Sequence, residues 1–496
     1  MKILKHLTLL LPYFLVFLVF FLPAVDTDLG WHLRYGQYFL ENRQILKENT
    51  FTYFLPDYKW AYSTGFFDLT TAIIFNSLGL LGLAFAYGLL GCALFFFLRG
   101  IFKVPSSILT FAFLIFSLFG WNVLYLGWRA QIFTILGTLI VLWTLKKSET
   151  NSKWLFLLPF IFEVWANTHG GFILGLLVLA IHFVSRCVVP KPLNTLGRRE
   201  WRRICTSGVV LIVCACAVGM NPYGFRVYQE SLLHANYPLQ NLIAEWVKPT
   251  LVFSVSGTVI VGILVALLWK RKIEDRIFLS LVLILGLGLL LQAKSNTPIF
   301  ALFTILPVLE VFKEKLTKLE SHISIKLFSH LIIASAILIL AIIRIHQTIE
   351  MSTNWDSYCN NGLVKLPCKS VDFIRVNRLT GTNVFTAYEW GGFLEWQLPQ
   401  YKYFADGRMP AWETPSGKSP YTEYLEIIQA QPGDGPQAWE KKLEDQKTDM
   451  LLIGSGTFLD IELKKGNNLK WKESHRDETS VVYIKQTQAL DTDSSN

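Results

Sequence analysis

Two carboxylates separated by one residue stand directly after the first hydrophobic segment of the chain. Asp26 and Asp28 are followed closely by His32 and Arg34. Carboxylates can act as general bases or bind a divalent cation, and an arginine can stabilise a departing phosphate. Because charge is costly in a bilayer, we predict that Asp26 and Asp28 are catalytic and that His32 and Arg34 bind substrate. The alternative is that Asp28 only caps a short interfacial helix over 29–40.

Five more polar residues lie near the ends of other hydrophobic segments and are candidate substrate-binding residues. Asp68 follows an aromatic stretch, and it either binds the acceptor or belongs to the polar stripe of an amphipathic helix. Arg129 and Lys294 stand where a lipid phosphate would lie, although single basic residues also extend to the interface without a ligand. Asn167 and His169 occupy a turn between two hydrophobic segments.

The elements that would position these residues are membrane helices. Hydrophobic residues make up 52% of the 496 residues and charged residues only 17%, with a mean hydropathy of +0.38. A soluble domain carries about 25% charged residues. We therefore predict an integral membrane protein.

Segments apolar enough to cross a hydrocarbon core of roughly 30 Å recur about eleven times. The segments on either side of residues 167–171 either both cross fully or form a re-entrant hairpin. The chain is thus predicted to be an α-helical polytopic membrane protein. The candidate spans are centred on residues 7–22, 80–98, 108–126, 132–145, 155–166, 172–184, 204–220, 251–269, 277–291, 298–312 and 327–343.

The distribution of Lys and Arg predicts the orientation. They are more than twice as frequent in one alternate set of loops as in the other, and cytoplasmic loops carry such an excess. This predicts a protein of the cytoplasmic membrane whose N-terminus lies on the cytoplasmic side. The loop with Asp26 and Asp28 and the C-terminal tail then lie on the outer side. The net charge of +9 then reflects loops that face anionic lipid, and no nucleic-acid partner is expected.

The tail alternates short segments rich in β-formers with segments of helical periodicity, which predicts a small α/β domain. We divide the chain into a membrane body, residues 1–343, with a first outer loop at 25–79, and an extracytoplasmic domain, residues 344–496. The end from about 488 is polar and predicted to be disordered. The predicted strands are 383–388, 402–406, 449–454 and 481–485, and the predicted helices are 421–430 and 437–446.

Two further features of the tail have a structural interpretation. Cys359 and Cys368 lie close together in a segment predicted to face an oxidising compartment, so we predict a disulfide. Asp406 and Arg408 flank a glycine after a predicted strand. They either bring an acid and a base near the membrane or form a turn held by an ion pair, and we favour the turn.

The chain resembles the GT-C superfamily of polyprenyl-phosphate-dependent glycosyltransferases, which includes protein O-mannosyltransferases, aminoarabinose transferases and oligosaccharyltransferases. The resemblance rests on the Asp26-Thr27-Asp28 loop, the aromatic segment after it, the predicted helical body and the tail. A narrower resemblance is to a group of uncharacterised bacterial membrane proteins within that superfamily. It rests on Gly30-Trp31-His32-Leu33, Asn167-Thr168-His169-Gly170-Gly171, Asn221-Pro222-Tyr223-Gly224, Glu389-Trp390-Gly391-Gly392-Phe393 and Asp406-Gly407-Arg408.

The resemblance implies inverting transfer of a sugar from a polyprenyl-phosphate donor to an extracytoplasmic lipid, glycan or protein. It implies that Asp26 or Asp28 is the base or a ligand of Mg²⁺ or Mn²⁺. Tyr388-Glu389-Trp390-Gly391-Gly392 matches the Trp-Trp-Asp-Tyr-Gly element of oligosaccharyltransferases only loosely, so we do not expect sequon glycosylation. The alternatives are a transporter or flippase for a lipid-linked or small polar substrate, and a non-catalytic assembly protein.

Overall fold

The computed structural model of the chain describes residues 2–188, 197–236, 243–414, 417–432, 435, 438–465 and 470–486. The predicted disordered end from about 488 lies outside the described residues. The α-helices, in chain order, are α1 Lys2–Phe20, α2 Leu29–Asn42, α3 Gly65–Ile101, α4 Ser106–Phe119, α5 Trp121–Leu124, α6 Ile132–Ser148, α7 Leu158–Ala166, α8 Phe172–Cys187, α9 Arg198–Val218, α10 Arg226–Asn236, α11 Leu251–Lys270, α12 Arg276–Gln292, α13 Thr297–Ser321, α14 Ile323–Leu340, α15 His346–Thr353, α16 Trp355–Cys359, α17 Cys368–Asn377, α18 Gly391–Gln397, α19 Pro420–Ile428, α20 Ala438–Asp445 and α21 Phe458–Lys464. The strands are β1 Asn383–Thr386, β2 Lys402–Tyr403, β3 Met450–Gly454, β4 Trp471–Arg476 and β5 Ser480–Lys485.

The chain divides into two compact units. The body unit consists of Met1–Ala24 and Ala61–Thr353, and the tail unit consists of Val25–Trp60 and Asn354–Asn496. The sequence-based division placed the whole first outer loop, 25–79, with the membrane body. Contacts instead group Val25–Trp60 with the C-terminal residues, because apolar side chains of this segment enter the core of the tail unit, among them Tyr53 and Phe54.

The body unit is helical, and each of the eleven predicted spans is helical over most of its length. Among the described residues, five helical segments are long and apolar enough to cross a membrane: Gly65–Ile101, Trp201–Val218, Leu251–Lys270, Lys294–Glu320 and Leu327–Thr353. Shorter apolar helical segments are Leu10–Phe20, Ser106–Phe119, Phe172–Cys187 and Arg276–Gln292. The body therefore has the composition of a membrane protein, and the number of eleven crossings stays a prediction.

Two segments of the body unit depart from simple straight helices. In α3, Gly79 has φ 64° and ψ −160°, which interrupts the helix between the part before residue 79 and the apolar part after it. Only glycine adopts such a conformation at little cost. The helix α7 has nine residues and rises about 14 Å, which is less than half of the hydrocarbon thickness. A 3₁₀-helix, Ser152–Leu157, precedes it.

The tail unit contains a five-stranded mixed sheet in the order β2-β1-β3-β5-β4. The strand β1 runs parallel to β2 and β3, whereas β5 runs antiparallel to β3 and β4. All four predicted strands are present: β1, β2 and β3 are shorter than predicted, and β5 begins one residue earlier. Both predicted helices are present with ends shifted by one or two residues. The edge strand β4 was not predicted because it reads Trp-Lys-Glu-Ser-His-Arg and lacks the apolar alternation of a strand.

A disulfide closes a short loop of the tail unit. Cys359 and Cys368 are bonded, with their Cα atoms 6.2 Å apart. This confirms the pairing predicted from their position in the tail. The backbone N–H of Leu366 also donates to the carbonyl of Cys359 at 3.1 Å, so the loop has a backbone hydrogen bond beside the covalent link.

Candidate functional site

Asp26 and Asp28 lie in the loop that leads into α2, within the tail unit. Asp26 is buried, with 6% of its surface exposed. The N–H of Asp28 donates to Oδ1 of Asp26 at 3.4 Å. Asp28 occupies the N-cap position of α2, but its side chain makes no capping hydrogen bond. The carboxylate of Asp28 therefore does not serve as the helix cap that the alternative interpretation required.

The start of α2 lies very close to the start of α18. A Cβ added to Gly30 would overlap the carbonyl group of Gly392. A Cβ on Gly392 would lie 3.0 Å from Cδ1 and 3.1 Å from the backbone nitrogen of Trp31. Glycine at both positions thus lets the backbones approach closely, as small residues do at tight helix contacts. This contact fixes the residues next to Asp28.

The side chain of Asp28 lies against Gly407. Its Oδ1 atom occupies the space that a Cβ of residue 407 would need. The indole nitrogen of Trp31 would lie 3.3 Å from the same added Cβ. Gly407 is not one of the glycines with positive φ, so the absent side chain provides space for the carboxylate and is not needed for the backbone conformation.

Arg408, which follows this glycine, is the centre of a buried cluster of charged side chains. Its backbone N–H and its Nε donate to Oδ1 of Asp406 at 2.9 and 2.7 Å. A second ion pair joins Nη2 to Oδ2 of the same carboxylate, and Glu395 Oε1 lies 3.4 Å from Nη2. All three side chains are at most 1% exposed. The turn held by an Asp–Arg pair, the favoured interpretation of the sequence, is present.

The cluster also reaches α2. Nη1 of Arg408 donates to the hydroxyl of Tyr35. The guanidinium carbon lies 4.7 Å from the centre of the Tyr35 ring, 5.5 Å from that of Trp60 and 5.9 Å from that of Trp412. Cation–π contacts of this kind strengthen when water is excluded. The arginine therefore links the helix that begins at Asp28 to the C-terminal part of the tail unit.

The cluster perturbs the protonation of its members. Burial, the charge of Asp406 and a hydrogen bond to Asp406 raise the pKa of Glu395 well above its usual 4.5. Burial lowers the pKa of Arg408 to about 9, and the negative charge of Asp28 opposes this decrease. A neutral Glu395 beside an Asp406–Arg408 ion pair leaves the buried cluster without net charge, which burial favours.

The remaining predicted residues of the first loop pack nearby. His32 is buried, and its ring centre lies 3.5 Å from that of Trp31. Arg34 lies 3.7 Å from Glu41 in an ion pair and 5.0 Å from the centre of the Phe51 ring. Four of the predicted site residues, Asp26, Asp28, His32 and Arg34, thus belong to one compact part of the tail unit.

The other five predicted site residues belong to the body unit. Asp68 lies in the first turn of α3 with 1% of its surface exposed, so it is not on a solvent-facing polar stripe. The hydroxyl of Thr64 donates to its Oδ2 at 3.4 Å. Its backbone N–H donates to the Thr64 carbonyl at 2.9 Å. A buried carboxyl at a helix N-terminus is stabilised by the helix dipole.

Arg129 pairs with a carboxylate from the segment before α11. Its Nη1 and Nη2 atoms donate to Oε1 and Oε2 of Glu245 at 2.9 and 3.2 Å. The fork geometry suits a carboxylate or a phosphate equally well. Lys294 has an exposed side chain, whereas its backbone carbonyl accepts a hydrogen bond from Asn122 at 2.9 Å.

Asn167 and His169 form the turn between α7 and α8. The side-chain amide of Asn167 donates to the Glu163 carbonyl at 2.8 Å, and the backbone carbonyl of Asn167 accepts from the backbone N–H of Phe66 at 2.7 Å. The Nδ1 atom of His169 lies 2.7 Å from the hydroxyl of Thr134. Burial, together with the positive charges nearby, lowers the pKa of His169 to about 4, so this imidazole is neutral at physiological pH.

Sequence reasoning missed two residues of the charged cluster. Tyr35 and Glu395 were not singled out, although Glu395 stands among Phe393, Leu394 and Trp396, a setting in which a charged residue is unusual. The isolation of that acid in an apolar segment was the available signal. The sequence around Tyr35 has no comparable signal.

A metal site needs several donor side chains around one point. Within the described parts of the chain, no three His, Cys, Asp or Glu side chains are grouped so that they could hold a metal ion. The pair Asp26 and Asp28 contributes two carboxylates at most. The Mg²⁺ or Mn²⁺ site stays a prediction.

The fold is similar to that of an archaeal oligosaccharyltransferase. The structure of AglB from Archaeoglobus fulgidus in complex with an inhibitory peptide and a dolichol-phosphate superposes with a TM-score of 0.57 at 11% identity, covering 91% of this chain and 69% of that one. The apo form of the Archaeoglobus fulgidus oligosaccharyltransferase gives a TM-score of 0.55 at 11% identity, covering 91% and 70%. No family model matches the chain, and no curated protein matches it. The likeness shows a fold shared with this oligosaccharyltransferase.

Proposed function

We propose that this protein is a GT-C-type membrane glycosyltransferase. It transfers one sugar from a polyprenyl-phosphate donor to an acceptor hydroxyl outside the cytoplasmic membrane. Support for the class comes from the fold shared with an oligosaccharyltransferase that was solved with a dolichol-phosphate and a peptide. The observation that carries the site assignment is the burial of Asp26, 6% exposed, in the loop before α2. A buried carboxylate is retained where it has a partner or a use.

The proposed reaction is a single displacement with inversion at the anomeric carbon. The acceptor oxygen attacks that carbon, and the bond from the carbon to the phosphate oxygen breaks. The hydroxyl proton passes to the carboxylate of Asp26 or Asp28, and the polyprenyl phosphate leaves with the bonding electrons. Arg34, Arg129 and Lys294 are the proposed cations for the phosphate, and Asp68, Asn167, His169 and His32 are proposed substrate contacts.

The proposal includes the cofactor and topology that the sequence suggested. A divalent metal, Mg²⁺ or Mn²⁺, would neutralise the departing phosphate when bound at Asp26 and Asp28. The protein is proposed to lie in the cytoplasmic membrane with its N-terminus inside and its C-terminal domain outside. The proposed acceptor is an extracytoplasmic lipid, glycan or protein.

The test uses membranes from cells that lack the gene and are complemented with variants. Asp26→Asn and Asp28→Asn keep the side-chain shape but remove the base. We expect each to lower sugar transfer from labelled polyprenyl-phosphate donors to envelope acceptors by about 100-fold or more where it is the base. Protein level and unfolding temperature should remain near those of the wild type.

Asp57→Asn is the matched control, because Asp57 is an exposed acid in the same segment of the tail unit. We expect this variant to transfer sugar at the wild-type rate. Full activity in Asp26→Asn, in Asp28→Asn and in the double variant would contradict the catalytic assignment. Transport of a lipid-linked sugar across liposome membranes, with no transfer to any acceptor, would favour the flippase alternative.

A further inference from the structure

We propose that the Asp406-Gly407-Arg408 turn is the positioning element of the site, acting through contact with the Asp28 carboxylate. This inference rests on the proposed function only for its effect on activity, because the contact itself lies entirely within the tail unit. It assigns a role to Gly407 and Arg408, which are distant from Asp28 in sequence. Neither residue would touch the reacting atoms.

Residue 407 has no room for a side chain beside Asp28. The Oδ1 atom of Asp28 lies where a Cβ would be, and Cγ of Asp28 would be 2.9 Å from that added atom. Real Cβ atoms do not tolerate such approaches, so the carboxyl group and an alanine at 407 exclude each other. Any side chain at 407 therefore displaces the carboxyl group of Asp28 or the turn.

The turn itself is rigid. Arg408 is buried between Asp406 and Glu395, with four donor groups committed to Asp406, Glu395 and Tyr35. A buried ion pair with satisfied hydrogen bonds fixes geometry, since each partner is costly to expose alone. The rigid turn therefore restricts the position of the Asp28 carboxyl group that it contacts.

The other side of Asp28 is also fixed. Its backbone carbonyl accepts from the N–H of His32 at 3.3 Å, and the adjoining helix is pressed against α18 at Gly30 and Gly392. Tyr35, about two turns along the same helix, bonds to Arg408. The C-terminal segment that contains Gly392, Gly407 and Arg408 therefore holds both the backbone and the side chain of Asp28 in position.

Positioning matters because a carboxylate that abstracts a proton must meet the hydroxyl at hydrogen-bond distance. A displacement of about 1 Å can lower a rate about 100-fold. Gly407→Ala tests this, because alanine can adopt the backbone conformation of residue 407. The added Cβ would collide with the Asp28 carboxyl group and would meet the Trp31 indole nitrogen at the longer distance of 3.3 Å. Gly435→Ala is the matched control in the same unit, since an added Cβ there meets nothing within 4 Å.

The first measurement concerns the contact and needs no activity. Gly407→Ala is expected to lower the unfolding temperature of the full-length protein by about 2 °C or more. The same change made in an Asp28→Ala background is expected to have a clearly smaller effect, because the colliding carboxyl group is gone and only the 3.3 Å contact with Trp31 remains. Asp28→Ala removes no capping hydrogen bond, and comparing the two backgrounds subtracts the effect that Asp28→Ala itself has on stability. An equal decrease in unfolding temperature in both backgrounds, or no decrease in either, would contradict the proposed contact between Asp28 and residue 407.

The second measurement separates this inference from the proposed function. We expect Gly407→Ala to lower kcat at least tenfold with little change in KM for the donor, while Gly435→Ala leaves both unchanged. A loss of fold would instead lower the amount of active protein without this split. If Asp28→Asn is inactive and Gly407→Ala has wild-type kcat, the positioning role is wrong and the proposed function stands. If Asp28→Asn is fully active, the catalytic assignment of Asp28 is wrong. The unfolding temperatures of Gly407→Ala in the two backgrounds still test the contact.

Discussion

At the scale of single residues, Glu395 illustrates how burial changes the chemistry of an acid. It is 1% exposed beside Asp406 and Arg408, and its pKa is raised well above 4.5. One arginine can neutralise one carboxylate of this pair, so the second is more stable with its proton. The proton on Glu395 then donates a hydrogen bond to Asp406.

This protonation has a consequence for stability against pH. The folded protein holds a proton on Glu395 that the unfolded chain releases near pH 4.5. The contribution of protonated Glu395 to the free energy of unfolding is fully present below pH 4.5. It is lost as pH rises toward the raised pKa of Glu395 in the folded state. We expect Glu395→Gln to remove this loss, so that its unfolding temperature relative to the wild type increases between about pH 5 and pH 8.

Thermal unfolding of both proteins across this pH range is the measurement. Glu389→Gln is the control, because Glu389 lies exposed six residues earlier in the same segment. It should follow the wild type at every pH. A difference between Glu395→Gln and the wild type that stays constant with pH, or that falls as pH rises, would contradict a protonated Glu395.

At the scale of elements, the contact of α1 with α3 depends on glycine. A Cβ on Gly88 would lie 2.8 Å from Cδ2 of Phe17, and one on Gly91 would lie 2.8 Å from Cβ of Phe20. Small residues allow membrane helices to pack closely, where dispersion contacts provide most of the attraction. The phenylalanine rings fill the space that these two glycines leave.

We expect Gly91→Ala to destabilise the protein by about 1–3 kcal/mol, because the Phe20 ring cannot move without disturbing its buried neighbours. Gly88→Ala should act in the same direction. Both are checked by thermal unfolding of the purified protein in detergent. The control is Gly262→Ala in α11, where an added Cβ meets nothing within 4 Å. A control as destabilising as Gly91→Ala would show that the cost is general to glycine in these helices and not due to packing on α1.

Helices and strands differ in how far the sequence specified them. The apolar runs predicted the body helices because a membrane span leaves a long compositional signal. Short strands such as β1 and β3 were predicted from β-forming residues. The strand β4 was not, since its pairing with β5 comes from the rest of the sheet and its own exposed charges give no alternation.

At the scale of the whole molecule, the pairing of Val25–Trp60 with the C-terminal residues is the main feature that the sequence did not predict. Asp26 and Asp28 were recognisable from their place after the first hydrophobic segment. The partners of α2 were not, because Tyr35 and Arg408 are separated by 373 residues. Only the folded chain brings such residues together, and no local pattern records their contact.

The grouping also gives the C-terminal segment a proposed role in the reaction. A tail that only recruited a partner would not need to hold the loop with the two carboxylates. Here Gly392, Gly407 and Arg408 all lie against α2 or the residue before it. We infer that the C-terminal segment helps to hold the loop that carries the two proposed catalytic carboxylates.

We propose that the protein consumes a sugar carried on a polyprenyl phosphate. The most direct measurement is a comparison of lipid-linked sugars and envelope glycans in cells with the intact gene, without it, and with the gene carrying both Asp26→Asn and Asp28→Asn. We predict that one polyprenyl-phosphate sugar accumulates and one envelope glycan is lost in the last two strains alike. Unchanged lipid-linked sugars and glycans in the strain without the gene would contradict the claim.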